Sequence, residues 1–302
     1  KAPPQQALSD ALVTLDGFAQ EATPERLYQR VGQEGDDLYL DLGDDTGRAV
    51  LIRPGEWTVT SEPPVLFKRT PLTAALPYPT RDGDLEELWR FVNVTPEDRP
   101  LFLAYLIAAL LPDIPHPVLG LFGQQGSAKT STMSVGVSLV DPSPVPYRKP
   151  PRDADSWITA AAGSWIVGLD NVSIVQPWLS DTLCRAVTGE GDVRRKLYTD
   201  GELHVYALRR VVAMTGIDLG SLPGDLADRL LPIHLDVIGE ADRRDEARLW
   251  PAWHAARPRV LGGLLDLAAG TLDALRDVRL ESLPRMADFA RVLAAVDHVL
   301  GT

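Results

Sequence analysis

Lys129 and Thr130 follow two glycines, Gly123 and Gly126, in the stretch GQQGSAKTS. A lysine ammonium beside a hydroxyl, placed after a loop that can aim several backbone N–H groups at one point, suits the grip of a phosphate chain. The pattern is that of G-x-x-x-x-G-K-[ST], with Ala128 where the last glycine is expected. Gly123, Gln124, Gln125, Gly126, Ser127, Ala128, Lys129, Thr130 and Ser131 therefore form the candidate ATP-binding set. Lys129 would reach the β- and γ-phosphates and Thr130 would place its hydroxyl on Mg²⁺. If residue 128 begins the helix, alanine adopts the negative φ required there at no cost. The plainer reading is a glycine turn before an ordinary helix.

A phosphate loop of this kind calls for a downstream apolar strand that ends in an acid, and SWIVGLDN at 164–171 supplies Asp170. Asp170 with Thr130 makes the candidate Mg²⁺ pair. Asn171 follows, and an amide can orient an attacking water but cannot take its proton. Further on, VRRKLYT and LHVYAL flank an Asp200-Gly201 turn, a hairpin signal, and RRVVAMT is an apolar strand ending in the polar Thr215. Arg194, Arg195 and Lys196 give that hairpin a basic face, suited to a nucleic-acid backbone or simply to solvent.

These residues need elements to hold them. Leu8, Leu12, Leu15 and Phe18 recur at helical spacing over residues 5–20. Residues 27–70 read as short β-rich runs, LYQRV, DLYLDLG, RAVLIR, EWTVTS and VLFKRT, joined by glycine-rich turns as in an antiparallel meander. TPED at 95–98 predicts a helix start capped by threonine. From 117 apolar strands PVLGLF, VPYRK, SWIVGL, RRVVAMT and IHLDVI alternate with helical segments at 129–140, 153–162 and 177–188, which predicts an α/β core with a parallel sheet. After 238 the pattern is helical to the end. The expected divisions are a helix to 26, a small β domain over 27–80, connecting helices over 81–116, an ATPase core over 117–239 and a helical lid over 240–302.

Composition narrows the partners. Among 302 residues the net charge is −12, which excludes a broad basic face for duplex DNA. The longest apolar run, LFLAYLIAALL, is about half the ~20 residues that cross a bilayer, so a buried helix and no membrane are expected. A single cysteine, Cys184, allows no internal disulfide and fits a reducing cytoplasm. The five histidines have no metal-ligand spacing.

The order of phosphate loop, acid-ended strand, helix closing on TGEGD, basic hairpin and apolar strand with a polar end resembles the superfamily 3 helicases, which are AAA+ P-loop NTPases, over about 117–236. The resemblance implies that the hairpins of a ring, a homo-oligomer of about six chains, project into a central channel, with Arg194, Arg195 and Lys196 against single-stranded DNA. It implies a sensor role for Thr215 and, for Arg229 in DLADRLLPIHL, an arginine finger reaching a neighbour's ATP. Arg229 could equally pair with Asp225 or Asp228. DNA unwinding during replication of a phage, plasmid or mobile element, with a primase upstream, is the activity the resemblance implies. A regulatory ATP-binding switch is the alternative that Asn171 keeps open.

Overall fold

A computed structural model describes residues 3–189, 191–195, 203–207, 209–217 and 224–302, and of 191–195 and 203–207 it describes the backbone. The chain opens with α1 (Gln5–Glu21) and a β layer: β1 (Leu27–Tyr28), β2 (Val31–Glu34), β3 (Asp37–Asp41), β4 (Ala49–Arg53), β5 (Glu56–Thr60) and β6 (Leu66–Phe67). Strands β2 to β5 form the expected antiparallel meander in sequential order. The first run, LYQRV, is broken at Arg30, whose φ of 65° bends the chain. The last run leaves the meander altogether, and Leu66 and Phe67 pair in parallel with Leu27 and Tyr28.

A 3-10 turn at Pro96–Asp98 leads into α2 (Arg99–Ala108); Thr95 stands at the cap position, but its side chain makes no capping bond to the turn. The apolar run begun at Leu101 is buried from Phe102 to Leu110, as its hydropathy required. The core then follows as β7 (Val118–Phe122), α3 (Lys129–Val140), α4 (Ala154–Gly163), β8 (Ile166–Leu169), α5 (Pro177–Thr188), β9 (Gly191–Arg195), β10 (Leu203–Ala207), β11 (Val211–Gly216), α6 (Gly224–Ala227) and β12 (Leu230–His234). Two long helices, α7 (Glu246–Ala274) and α8 (Ala287–Leu300), complete the chain. None of the helices among the described residues is long and apolar enough to cross a membrane.

The central sheet has four parallel strands in the order β12-β7-β11-β8. Strands β7, β8 and β11 are buried along their whole length, as in a sheet covered on both faces, whereas the edge strand β12 alternates buried and exposed residues. The segment VPYRK, expected as a further strand, contributes only a single bridge, Arg148 to Leu169. Pro144 and Pro146 lack N–H donors and Pro150 and Pro151 follow, so no ladder can extend. The last strand begins three residues earlier than IHLDVI suggested.

The β layer does not stand apart from the helices. Its buried Leu40, Ile52 and Trp57 share one core with α2 and α7, the Trp57 indole donates to Asp266 at 2.7 Å, and Gly55 N–H donates to the Ala269 carbonyl. A buried ion pair joins the same layer to the parallel-sheet core. Arg30, 1% exposed, meets Asp141 at 2.9 Å and also donates to the carbonyls of Asp41, Ala74 and Pro142. Asp141, just past the end of α3, accepts in turn from the N–H groups of Trp165 and Ile166 at 2.8 and 2.9 Å.

Removing one partner of a buried, hydrogen-bonded pair leaves the other charge without compensation, typically at a cost of about 3–5 kcal/mol. Asp141→Asn is therefore expected to lower the urea midpoint sharply. Asp37→Asn, which breaks a surface pair with Arg53, should barely move it. Equal shifts in the two variants would refute the role given to Asp141.

Candidate active site

The carboxyl ends of β7, β8 and β11 lie side by side, with β11 in the middle. Ligands of parallel sheets gather at this edge. The order places Thr215, near the end of β11, between the loop that follows β7 and Asp170, the residue after β8. Four side chains expected from the sequence meet there. The Thr130 hydroxyl donates to Asp170 Oδ1 at 2.8 Å, and the Thr215 hydroxyl donates to the same oxygen at 2.7 Å. Lys129 folds back over its loop and its Nζ donates to the carbonyls of Gly123 and Gln124 at 2.6 and 2.7 Å. Partial burial holds the ammonium below the ordinary lysine range, and the Asp170 charge pulls it back up.

The loop is shaped by close approach. A Cβ at Gly123 would stand 2.4 Å from the Leu235 carbonyl oxygen, so only glycine fits. Ser127 is buried and its hydroxyl closes the turn on the Gln124 carbonyl at 2.9 Å. Gln124 and Gln125 are exposed, and Ser131 lies one turn into α3.

Ala128 corrects the expectation of negative φ. It precedes α3 at φ 56° and ψ 30°, in the left-handed region, so the glycine of the general pattern is missing where its freedom counts. A left-handed alanine costs roughly 1–2 kcal/mol of local strain. Asn171 is left-handed too, at φ 57°, a conformation asparagine accepts better than most residues. Its backbone N–H donates to the Thr215 hydroxyl at 2.9 Å, while the residue itself is exposed at the site. Thr215 is thus committed on both sides, holding Asp170 and the turn after it.

Arg229 lies at the other end of the sheet. It immediately precedes Leu230, which pairs with the first residue of β7, so β12 separates it from the loop of its own chain. Its Nη1 meets Asp225 at 2.7 Å and the side chain is 13% exposed, the ion-pair alternative left open by the sequence. Arg285 closes on both Asp225 and Asp228.

The backbone of β9 and β10 forms the expected hairpin, antiparallel and outside the main sheet, with Arg195 opposite Leu203 and Arg194 opposite His204. The side chains of Arg194 and Arg195, and the whole of Lys196 and the Asp200-Gly201 turn, lie outside what is described.

Two residues at the site had no signal in the sequence. The Asn93 amide donates to the carbonyls of Ser127 and Asp236, at 3.1 and 2.7 Å, and its N–H donates to Thr132. It joins the loop to the strand exit after β12. Arg243 rests over the loop, with Nη2 only 3.3 Å from where a Cβ on Gly126 would stand. A cavity of about 330 Å³ adjoins, lined by Phe91, Asn93, Ala128, Ser131, Ile238 and Arg244.

The sequence profile of actinomycete integrative conjugative element replication proteins matches residues 85–302, a span that includes the loop, Asp170, the hairpin and Arg229. The chain belongs to that family of replication proteins. No curated protein matches its sequence. Among solved structures it is similar to JCV helicase, at 11% identity and a TM-score of 0.42 over 72% of this chain and 61% of that one. It is also similar to the C-terminal region of NrS-1, at 11% identity and a TM-score of 0.44 over 85% of this chain and 62% of that one. The chain thus spans less than two thirds of either neighbour.

The strain at residue 128 gives a direct test in this replication protein. Ala128→Gly should raise stability by about 1 kcal/mol, because glycine relieves the left-handed conformation at some cost in chain entropy. Thermal unfolding monitored by calorimetry would show it, and a lowered midpoint would contradict the assigned backbone.

Proposed function

We propose that the chain is the motor of a ring ATPase of the AAA+ type, resembling superfamily 3 helicases, which uses ATP to move along single-stranded DNA during replication of a mobile element. The observation that carries the reading is the convergence of Lys129, Thr130, Asp170 and Thr215 at the carboxyl edge of a parallel sheet, beside a glycine-shaped loop. Residues 123–131 cradle the phosphates in this reading, and the adjoining cavity takes the base and ribose. The cavity is of the size in which small ligands are commonly held.

Thr130 and Asp170 fit Mg²⁺, since both offer hard oxygen donors and already share one contact. Bound there, the ion would neutralise charge on the β- and γ-phosphates. The residues do the rest. Lys129 exchanges its two carbonyl partners for phosphate oxygens. Thr215 keeps Asp170 oriented through the hydrogen bond to Oδ1, and Asn171 orients water without accepting its proton. Arg243, on the far side of the loop, adds a second positive charge from the same chain.

Arg229 is assigned to a neighbour's site, because it is remote from its own loop, and it must leave Asp225 to act. That requirement makes hydrolysis conditional on assembly. Arg194, Arg195 and Lys196 of about six hairpins would put on the order of 18 positive charges in one channel, enough for salt-sensitive, sequence-tolerant binding despite the acidic chain. A switch that binds ATP without translocating is the second reading, favoured by Asn171 in place of an acid and by the sequestered Arg229.

The motor reading expects single-stranded DNA to stimulate ATP hydrolysis. Lys129→Ala should abolish turnover, and Arg243→Ala should weaken nucleotide binding about tenfold, equivalent to ~1.4 kcal/mol. Arg195→Ala combined with Lys196→Ala should remove the DNA stimulation and spare ATP binding. A ring with no response to DNA would leave the switch reading in place. For the finger, mixing Arg229→Ala chains with Lys129→Ala chains should restore part of the turnover at mixed interfaces. Unrestored activity would confine Arg229 to its ion pair.

A further inference from the structure

Helix α1 is an amphipathic helix that covers nothing. All residues from Gln5 to Glu21 are exposed, and Leu8, Leu12, Leu15 and Phe18, at 53–66% exposure, make one stripe about a third of a turn wide. A helix of this length is marginal in water without a partner for its apolar face. Its base is held, however. Arg26 donates to both carboxylate oxygens of Asp113 and lies over the Tyr28 ring at 4.4 Å, while Ala22 is extended and Pro24 stiffens the joint. The chain is thus anchored just after the arm, whose stripe stays uncovered.

The helix is acidic, with Asp10, Asp16 and Glu21 and no basic residue between Gln5 and Glu21. At helical spacing Asp16 flanks the stripe, while Asp10 and Glu21 lie on the opposite face. A complementary surface needs apolar walls and positive charge, and the fold offers one. Between the segment 142–147 and α7 lies a cavity of about 630 Å³, lined by Val145, Tyr147, Trp250, Trp253, His254 and Arg257 among others. Val145 and Tyr147 stand exposed at its rim. Arg257 donates through Nη2 to the Ser138 carbonyl at 2.7 Å, and its buried Nε has no hydrogen-bond partner. No acidic side chain lines the cavity, in a chain of net charge −12.

We propose that α1 of one copy docks its Leu12, Leu15 and Phe18 face into the Val145 and Trp250 groove of a second copy. Arm and groove are different surfaces of one chain, so the contact is head to tail and repeats around a ring or along a filament. The proposal deepens the assembly part of the reading above and owes nothing to nucleotide chemistry.

Two chains with one added cysteine each, Leu15→Cys and Val145→Cys, test it, since the native Cys184 is buried. Mixed and oxidised, they should give a disulfide-linked pair at twice the chain mass, while neither chain alone does. A chain carrying both changes should cross-link into multimers. An internal link only, or self-pairing of the Leu15→Cys chain, would overturn the proposal. Leu12→Glu with Leu15→Glu on the arm, and Val145→Glu at the groove, lie on exposed positions and should each reduce the assembly to single chains in sedimentation. Rings that form with nucleotide in both variants would remove the arm contact and leave the ring reading intact.

Discussion

Helix α3 and strand β8 are pinned to each other at both ends, and the site depends on that match. At one end Thr130 donates to Asp170; at the other Asp141 accepts from Trp165 and Ile166. Eleven helical steps at ~1.5 Å cover about 17 Å, and five strand steps at ~3.3 Å cover the same distance. The equality lets a helix that begins at the phosphate loop and a strand that ends at the acid run in opposite directions without strain. The acid therefore arrives within hydrogen-bond reach of the loop hydroxyl. Arg30 completes the far anchor, so a residue of the β layer supports the geometry of the candidate site at the opposite edge of the sheet.

Order within the sheet does the remaining positioning. Because β11 is inserted between β7 and β8, its penultimate residue Thr215 stands between loop and acid and holds the acid by a second hydroxyl bond. Two left-handed non-glycine residues besides Arg30, namely Ala128 and Asn171, sit on either side of this contact, at the entry to α3 and the exit from β8. Strain of this kind persists only where surrounding contacts over-determine the backbone. Here the loop is held by Asn93 and Leu235, and the turn after Asp170 by Thr215.

Electrostatics separate the cations into two groups. Lys129 and Arg243 face the loop of their own chain, whereas Arg229 is engaged with Asp225 beyond the other end of β12. Arg257 and Arg259, from the same long helix, are taken up by the Ser138 carbonyl and by Glu87, and Arg285 by Asp225 and Asp228. Among the described residues, Lys129 and Arg243 are thus the cations set closest to the loop.

The sequence by itself determined whatever depends on neighbours along the chain. The spans of α3 and α5, the buried run before β7, the antiparallel meander and the hairpin strands all followed from periodicity, capping and turn residues. So did the places of Lys129 and Thr130 at the start of α3 and of Asp170 just after β8, because a strand, a loop and a helix start are local patterns. Tertiary structure alone decided what depends on approach between distant segments. Proline-rich VPYRK had a strand's composition, but its prolines leave too few donors for a ladder and only the Arg148 N–H reaches the sheet, at the Gly168 carbonyl. The left-handed φ at Ala128 runs against alanine's own preference, so the residue type could not announce it. Asn93 and Arg243 gained their places only when residues far apart in sequence were brought to one edge of the sheet, and Arg229 found Asp225 rather than open solvent. Local free-energy preferences can be read from a string of residues; the choice among partners of similar chemistry is made by packing.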